Sequence, residues 1–159
     1  MSRLKQSEPF LSGPDRWRVL VERSNDIFYV VDREGRVSYV SPQIERVGVD
    51  PGDLTGRSFL DVIFPEDREL VETDFQRTIS TGAEFPTVFR LQFPDGGIHW
   101  MEDHGHVIRD ESGEIAGVAG VVRDITDHRH LEERLAQTME DMEREVEERT
   151  AELAAANAE

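Results

Sequence analysis

Three β-rich segments follow one another in the second half of the chain, with only short polar turns between them. The first, "FPTVFRLQF", alternates strictly and places Phe85, Thr87, Phe89, Leu91 and Phe93 on one face, as in a half-buried strand. "PDGG" then leads into "IHWMEDHGHVIRD", and "ESGE" leads into "IAGVAGVVRDIT". Connections this short exclude a crossover helix, so neighbouring strands must pair antiparallel. The segment therefore predicts a three-stranded antiparallel meander.

The residues before the meander supply the rest of a single domain. "DIFYVVDREGRVSYVS" has two apolar runs around a polar turn at Gly35, which predicts a β-hairpin. "PEDRELVETDFQRTISTG" predicts an amphipathic helix that begins near Pro65 and ends at Gly82. Other Gly and Pro residues allow only one-turn helices, and "DRWRVLVERS" predicts a short amphipathic helix that carries Trp17. The predicted fold class is α+β, a five-stranded antiparallel sheet with short helices on one face.

The last strand passes into a long helix without a hinge. In "GVVRDITDHRHL" no glycine or proline follows Gly120. From Leu135, seam positions recur at intervals of four and three, the a/d repeat of a coiled coil, with Arg149 as the polar member. Including Leu131, the apolar seam consists of Leu131, Leu135, Met139, Met142, Val146 and Leu153. We expect a parallel homodimer through this seam; the alternative is a single solvent-exposed helix.

Length and composition limit what the chain can be. Its 159 residues suit one domain with an extension, which we divide into a flexible lead-in at 1–13, a domain at 14–127 and a C-terminal helix at 128–159. The net charge of −16 would repel phosphates, so we expect neither nucleic acid nor direct membrane contact. The sequence has no cysteine and no evident catalytic motif, so we expect no enzymatic activity. With neither a long apolar run nor a signal peptide, we expect a cytoplasmic location.

Several short motifs, in this order and spacing, resemble those of PAS domains, the sensory modules of many signalling proteins. They are "DIFYVVDREGRVSYVSP", "LTGRSFLDVIFPED", "PDGGIHW" and the terminal "RDIT", and the resemblance covers residues 15–127. "EREVEERTAELAAANAE" is similar to the connecting helix that precedes the catalytic output domain of sensor histidine kinases. The resemblance implies a sensor of a two-component system that detects a small ligand, a cofactor state or a partner. The helix would relay the signal to an output domain, a histidine kinase.

The resemblance also implies a pocket between the inner face of the sheet and the helices, or only a filled core. The candidate pocket residues are Phe28, Val30, Ile44, Phe64, Val71, Phe75, Phe89, Leu91, Trp100 and Met101. Their aromatic members suit a flat cofactor such as flavin or haem, whereas a smaller metabolite or a plain core would use them equally well. Oxygen-sensing PAS domains hold haem through a histidine on the long helix, and residues 65–81 contain none. No cysteine can bond a chromophore, so the cofactor is left unspecified.

Two further features carry expectations about individual residues. His104 and His106 share a strand face, but no third metal ligand is evident, so we assign no metal site. Ser41 stands where PAS domains usually have asparagine, and we expect its hydroxyl to cap the following turn.

The motif "RDIT" suggests a signal relay at Asp124, Ile125 and Thr126. We expect Asp124 to anchor the end of the last strand through an arginine or a backbone amide. Thr126 would cap the emerging helix, and Ile125 would pack beneath it. Two alternatives to the relay function are a flavin- or haem-bearing redox or light sensor and a ligand-free dimerisation module.

Overall fold

The structure is a computed structural model that describes Val21 and residues 23–157. Within these residues a five-stranded antiparallel sheet runs in the order β2-β1-β5-β4-β3. The strands are β1 (Ile27–Asp32), β2 (Val37–Val40), β3 (Thr87–Gln92), β4 (Ile98–Arg109) and β5 (Ile115–Asp124). The predicted hairpin and meander are confirmed, since β1 pairs with β2 and the last three strands pair in succession. The predicted helix around Trp17 lies outside the described residues.

Pairing between the first and last strands places β1 inside the sheet rather than at its edge. β1 pairs antiparallel with β5, so that Tyr29 lies opposite Gly120 and Val31 lies opposite Val118. A position between two neighbours suits the continuous apolar run at residues 27–31, which has no polar face to offer to water. This pairing also decides which side chains meet beneath the sheet.

Short helices follow β2 and contribute to the core. Three 3₁₀ helices at Pro42–Val47, Phe59–Asp61 and Pro65–Asp67, together with helix α1 (Pro51–Leu54), lead to the longer helix α2 (Arg68–Thr81). Helix α2 ends at Gly82, whose φ of 71° lies in the left-handed region that favours glycine. Buried side chains of these helices pack with those of the sheet into one core that includes Ile44, Leu54, Val71, Phe89, Leu91 and Met101.

Ser41 has a role different from the expected one. Its side chain is fully buried, and its hydroxyl accepts a hydrogen bond from the backbone amide of Phe28 at 2.9 Å. The hydroxyl makes no capping hydrogen bond to the 3₁₀ helix that follows, so the predicted cap is wrong. The serine instead satisfies a backbone donor of the neighbouring strand, which a buried amide requires.

Helix α3 (Thr126–Ala156) follows β5 with one residue between them. The chain divides between Asp124 and Ile125 into two units. On α3 the six apolar seam residues are exposed, from 53% at Leu131 to 65% at Leu153. Along the described part of the chain, no helix is both long and apolar enough to cross a membrane.

Candidate functional site

A cavity of about 110 Å³ lies between the inner face of the sheet and the helices. Its walls are mainly aliphatic and aromatic side chains from β1, β3, β5 and α2, with contributions from the short helices. Five residues bring polar side chains to it: Tyr29, Asp74, Thr78, Thr87 and Asp103. An apolar space with a small number of convergent polar groups has the character of a small-molecule site.

Five of the ten candidate pocket residues line this cavity, namely Ile44, Val71, Phe75, Phe89 and Leu91. The other five do not, and for these the pocket assignment is corrected: Phe28, Val30, Phe64, Trp100 and Met101. Met101 faces the same side of β4 as the cavity residue Asp103, but it is 2% exposed and fills the core. Trp100 and Phe64 lie around the guanidinium of Arg90, at 5.6 and 4.6 Å from the ring centroids.

On β1, the prediction chose the residues that face away from the cavity. Ile27, Tyr29 and Val31 line the cavity, whereas Phe28 and Val30 alternate with them and therefore project from the other side of the strand. The run is apolar at nearly every position, so hydrophobic pattern gives no sign of which set faces inward.

The polar end of the cavity is formed by Tyr29 and Asp103. The Tyr29 hydroxyl donates a hydrogen bond to Asp103 Oδ2 at 2.9 Å. The other carboxylate oxygen, Oδ1, is buried and accepts no hydrogen bond from the described residues. A buried carboxylate oxygen without a partner is costly, because it has lost its hydration without replacement.

Two glycines make room for the Tyr29 hydroxyl. Gly105 and Gly120 lie directly opposite each other on β4 and β5. A Cβ atom at Gly105 would stand 2.9 Å from the Tyr29 hydroxyl oxygen, and one at Gly120 would stand 2.7 Å from it. Glycine in a strand interior often marks such a close approach, and here it permits the Tyr29 to Asp103 hydrogen bond.

A second carboxylate stands near the first. Asp74, on α2, accepts a hydrogen bond from the Thr87 hydroxyl through Oδ2 at 3.2 Å. Thr87 is the cross-strand partner of Asp103, so the two side chains lie side by side on the inner face. Asp74, Thr87 and Asp103 therefore form one polar group at this end of the cavity.

The negative charge of the carboxylates at the polar end has no positively charged partner among the described residues that line the cavity. Among the described residues, no Lys, Arg or His side chain lines the cavity. Burial raises the pKa of Asp103 from 3.8 to about 6, while the Tyr29 hydrogen bond and the charges of His104 and His106 lower it. Burial, and then the Asp103 charge, also raises the pKa of Tyr29 well above its ordinary value. Asp103 is therefore ionised at neutral pH at a considerable energetic cost.

Sequence reasoning missed Tyr29, Asp74, Thr87 and Asp103 as site residues. Adjacent acids such as Glu102 and Asp103 suggest a solvated pair, and in an acidic chain that interpretation is the natural one. Two signals were nevertheless available. Strand alternation places Asp103 on the same face as the core residue Met101, and the glycines within two strands indicate a close contact.

The histidines lie away from the cavity. His104 contacts Glu102 at 3.0 Å, and His106 contacts Glu84 at 2.8 Å, both at exposed positions. In the part of the chain that the structure describes, no group of three or more His, Asp or Glu side chains is arranged to hold a metal ion.

The junction residues differ in part from expectation. Asp124 contacts His99 through Oδ2 and Nδ1 at 2.8 Å, and His99 stacks on Phe93 with a centroid distance of 3.6 Å. The anchor therefore includes a histidine that was not expected. Helix α3 begins at Thr126 with Ile125 in the N-cap position, so the prediction that Thr126 is the cap is wrong.

A further ion pair fixes the start of α2 against β3. Arg90 donates to both carboxylate oxygens of Asp67, at 2.9 Å from Nε and 2.6 Å from Nη2. Asp67 also accepts the Arg90 backbone amide at 2.8 Å, and these contacts lower the pKa of its carboxyl group. The pair positions the helix that supplies Val71, Asp74 and Phe75 to the cavity.

Comparisons with known proteins agree with this geometry. A family model described as the PAS fold matches residues 37–122. The chain is 34% identical over 97 residues to the blue light receptor lreA of Aspergillus flavus, covering 60% of this chain and 11% of that protein. It is 30% identical over 100 residues to the methyl sulfide methyltransferase-associated sensor of Methanosarcina acetivorans, covering 61% of this chain and 10% of the sensor.

A solved structure also has the PAS fold. The N-terminal domain of a diguanylate cyclase with PAS/PAC sensor from Marinobacter aquaeolei has a TM-score of 0.59 and 28% identity, over 66% of this chain and 99% of that domain. This chain spans about a tenth of the length of each of the two curated relatives described above.

Proposed function

This chain belongs to the PAS fold family, and from that premise we propose that it binds a small molecule and passes the signal to another domain of a longer protein. The observation that carries the proposal is the cavity of about 110 Å³ beneath the sheet, which is mainly apolar and has the polar group at one end. A filled core would leave no such space, because protein interiors are otherwise packed as densely as organic crystals.

The size of the cavity favours a small ligand over a large cofactor. Pockets for drug-sized ligands measure about 300–1,000 Å³, whereas this cavity measures about 110 Å³. Flavin and haem are at least as large as such ligands and would require the core to open. A visible absorption spectrum of the purified protein tests the flavin or haem alternative directly, since both absorb strongly there.

The proposed relay runs along the chain from β5 into α3. The 31 residues of α3 span about 46 Å at 1.5 Å per residue, long enough to carry a displacement to a distant domain. Its exposed apolar seam supports a parallel homodimer, since six such side chains in one row would be covered by a second copy. A ligand then needs only a different affinity for two packings of the helix pair.

We propose a histidine kinase as the output domain, on the similarity of "EREVEERTAELAAANAE" to connecting helices of that class. In this scheme the sensor has no catalytic residue, and it works in the cytoplasm, where a kinase finds ATP. The net charge of −16 makes nucleic acid and anionic lipid unfavourable partners for the sensor itself.

The cavity proposal is tested by filling the space. Leu91→Trp should overfill the cavity at a stability cost of about 1–3 kcal/mol and reduce binding of whatever small molecule native mass spectrometry finds on the wild-type protein. Gln92→Trp is the matched control, since Gln92 is exposed and projects from the opposite side of β3. Equal ligand occupancy in a folded Leu91→Trp variant would place the binding site elsewhere.

The relay proposal is tested in the longer protein by inserting residues after Thr126. One inserted residue rotates the rest of the helix by about 100°, whereas four residues nearly restore the original face. Output activity should therefore fall more with one or two inserted residues than with four. If activity does not depend on insertion length, the helix is only a tether.

A further inference from the structure

The polar end of the cavity combines two carboxylates with one hydroxyl between them. Thr87 donates to Asp74 at 3.2 Å and lies opposite Asp103 in the β3–β4 register. Tyr29 donates to Asp103 from the other side at 2.9 Å. Asp74 and Asp103 therefore both reach the same end of a mainly apolar space.

The hydrogen-bonding capacity of this group is incomplete. Tyr29 and Thr87 use their hydroxyl protons on Oδ2 of the two carboxylates, and Asp103 Oδ1 is buried with no donor among the described residues. The guanidinium of Arg77 lies over the ring of the cavity residue Phe85, at 3.7 Å from its centroid, but Arg77 itself does not line the cavity. Among the described residues, Asp103 Oδ1 therefore has no donor, and no positively charged side chain lines the cavity.

The chemistry of the group discriminates among ligand classes. A carboxylate ligand would add a negative charge beside two others and would be repelled. An alcohol could donate one neutral hydrogen bond to Asp103 Oδ1. A protonated amine could donate to the same oxygen and supply the missing charge, and charge-assisted hydrogen bonds are about twice as strong as neutral ones.

The volume limits the size of the ligand. An apolar cavity of about 150 Å³ accommodates benzene, so a cavity of about 110 Å³ suits a ligand of roughly four to six non-hydrogen atoms. The apolar walls, including Val71, Phe89 and Leu91, would contact an aliphatic body.

On the basis of the proposed sensory function, we propose that the cavity binds a small aliphatic amine. Its protonated nitrogen donates to Asp103 Oδ1 beside Asp74, and its aliphatic body occupies the apolar part of the cavity. Asp103 is thus the residue that selects the ligand's charge.

Three probes with the same branched carbon skeleton and different head groups test this proposal: 2-methylpropylamine, 2-methylpropan-1-ol and 2-methylpropanoate. Each is titrated into the full-length chain at neutral pH, and binding is followed by amide chemical shifts of the sheet residues. We expect the amine to bind about tenfold more tightly than the alcohol, and 2-methylpropanoate not to bind measurably. Equal affinity of amine and alcohol, or preferential binding of the carboxylate, would overturn the proposal.

Two neighbouring variants locate the selectivity. Asp103→Asn keeps an acceptor for Tyr29 but removes the charge, so amine affinity should fall about tenfold while alcohol affinity stays within about twofold. Glu102→Gln, one residue away on β4 and on the opposite face, should leave all three affinities unchanged. Amine binding that survives Asp103→Asn contradicts the assigned role of Asp103.

The outcomes also separate this proposal from the broader one. If the alcohol binds as well as the amine, and Leu91→Trp abolishes both, the cavity is a ligand site but not an amine site. If the amine binds equally to wild type and to Leu91→Trp, the probe lies outside the cavity and the amine proposal fails, while native mass spectrometry of the Leu91→Trp variant decides the broader one. If none of the three probes binds at millimolar concentration, the amine proposal is wrong, while native mass spectrometry of the Leu91→Trp variant still decides the broader one.

Discussion

Replacing Asp103 with asparagine should raise the stability of the ligand-free protein relative to wild type as the pH rises towards neutral, although it removes a hydrogen-bonded carboxylate from the interior. The charged carboxylate is buried with one oxygen unpartnered, whereas the neutral amide of asparagine can still accept the Tyr29 hydrogen bond. Proteins often become more stable when a residue that binds a ligand is replaced, because such residues are arranged for the bound state rather than for the free one.

The size of the effect follows from the pKa of Asp103. Raising this pKa from 3.8 to about 6 corresponds to about 3 kcal/mol, since one pKa unit is worth about 1.36 kcal/mol. The folded state binds the proton more tightly than the unfolded state, so the penalty is small near pH 4, grows mainly between pH 4 and pH 6, and levels off above pH 6. The unfolding free energy of Asp103→Asn minus that of wild type should therefore increase by about 2–3 kcal/mol from pH 4 to pH 7.

Groups around Asp103 set the details of this titration. Tyr29 faces it from β1, Asp74 approaches from α2 beside Thr87 of β3, and His104 lies next to it on β4. The asparagine amide leaves an N–H group near the position of Oδ1, which adds a constant cost of about 1–3 kcal/mol. Because that cost does not depend on pH, the change of the stability difference with pH is the quantity to measure.

Urea unfolding of both proteins between pH 4 and pH 7 measures this change. The protein is kept dilute because the isoelectric point of about 4.6 falls in this range. Glu102→Gln serves as a control for removing one negative charge from the same strand. A stability difference for Asp103→Asn that is flat or falls as the pH rises would show that the carboxylate is well solvated or paired, which would refute the reasoning.

Three further predictions concern other parts of the molecule. Gly105→Ala should cost about 1–3 kcal/mol of stability, because its Cβ atom would stand 2.9 Å from the Tyr29 hydroxyl oxygen, and the cost should be smaller in a Tyr29→Phe background. Chemical denaturation of the four proteins gives the coupling, and the absence of coupling would contradict the proposed contact. Asp67→Asn should lower the free energy of unfolding by about 1–2 kcal/mol at neutral pH, because it weakens the hydrogen bonds from the guanidinium of Arg90 on β3. Because the pKa of Asp67 is lowered, this stabilisation should be lost as the pH falls below 3.8, so wild type and variant should converge in acid, and a constant difference would argue against it. Met142→Asp combined with Val146→Asp should give a monomer by light scattering, because both side chains are 62% exposed on the seam of α3, and a persistent dimer would move the interface elsewhere.

Local sequence signals determined the secondary structure and much of the topology. The short turns at "PDGG" and "ESGE" required an antiparallel meander, and Pro65 and Gly82 bounded the helical region that contains α2. The intervals of four and three after Leu135 likewise predicted a helix with an apolar seam. These features depend on neighbours in the chain, so the sequence alone contains the information that fixes them.

The faces of β1 and the contents of the site depended on tertiary structure. The uninterrupted apolar run at residues 27–31 has no alternation, so only pairing with β5 decides that Tyr29 rather than Phe28 faces the cavity. The hydrogen bond from Tyr29 to Asp103 joins residues 74 positions apart, and no local pattern encodes such a contact. Whether the aromatic and aliphatic side chains fill the core or surround a space is likewise a property of the whole packing, because a cavity is the volume that all neighbouring elements together leave empty.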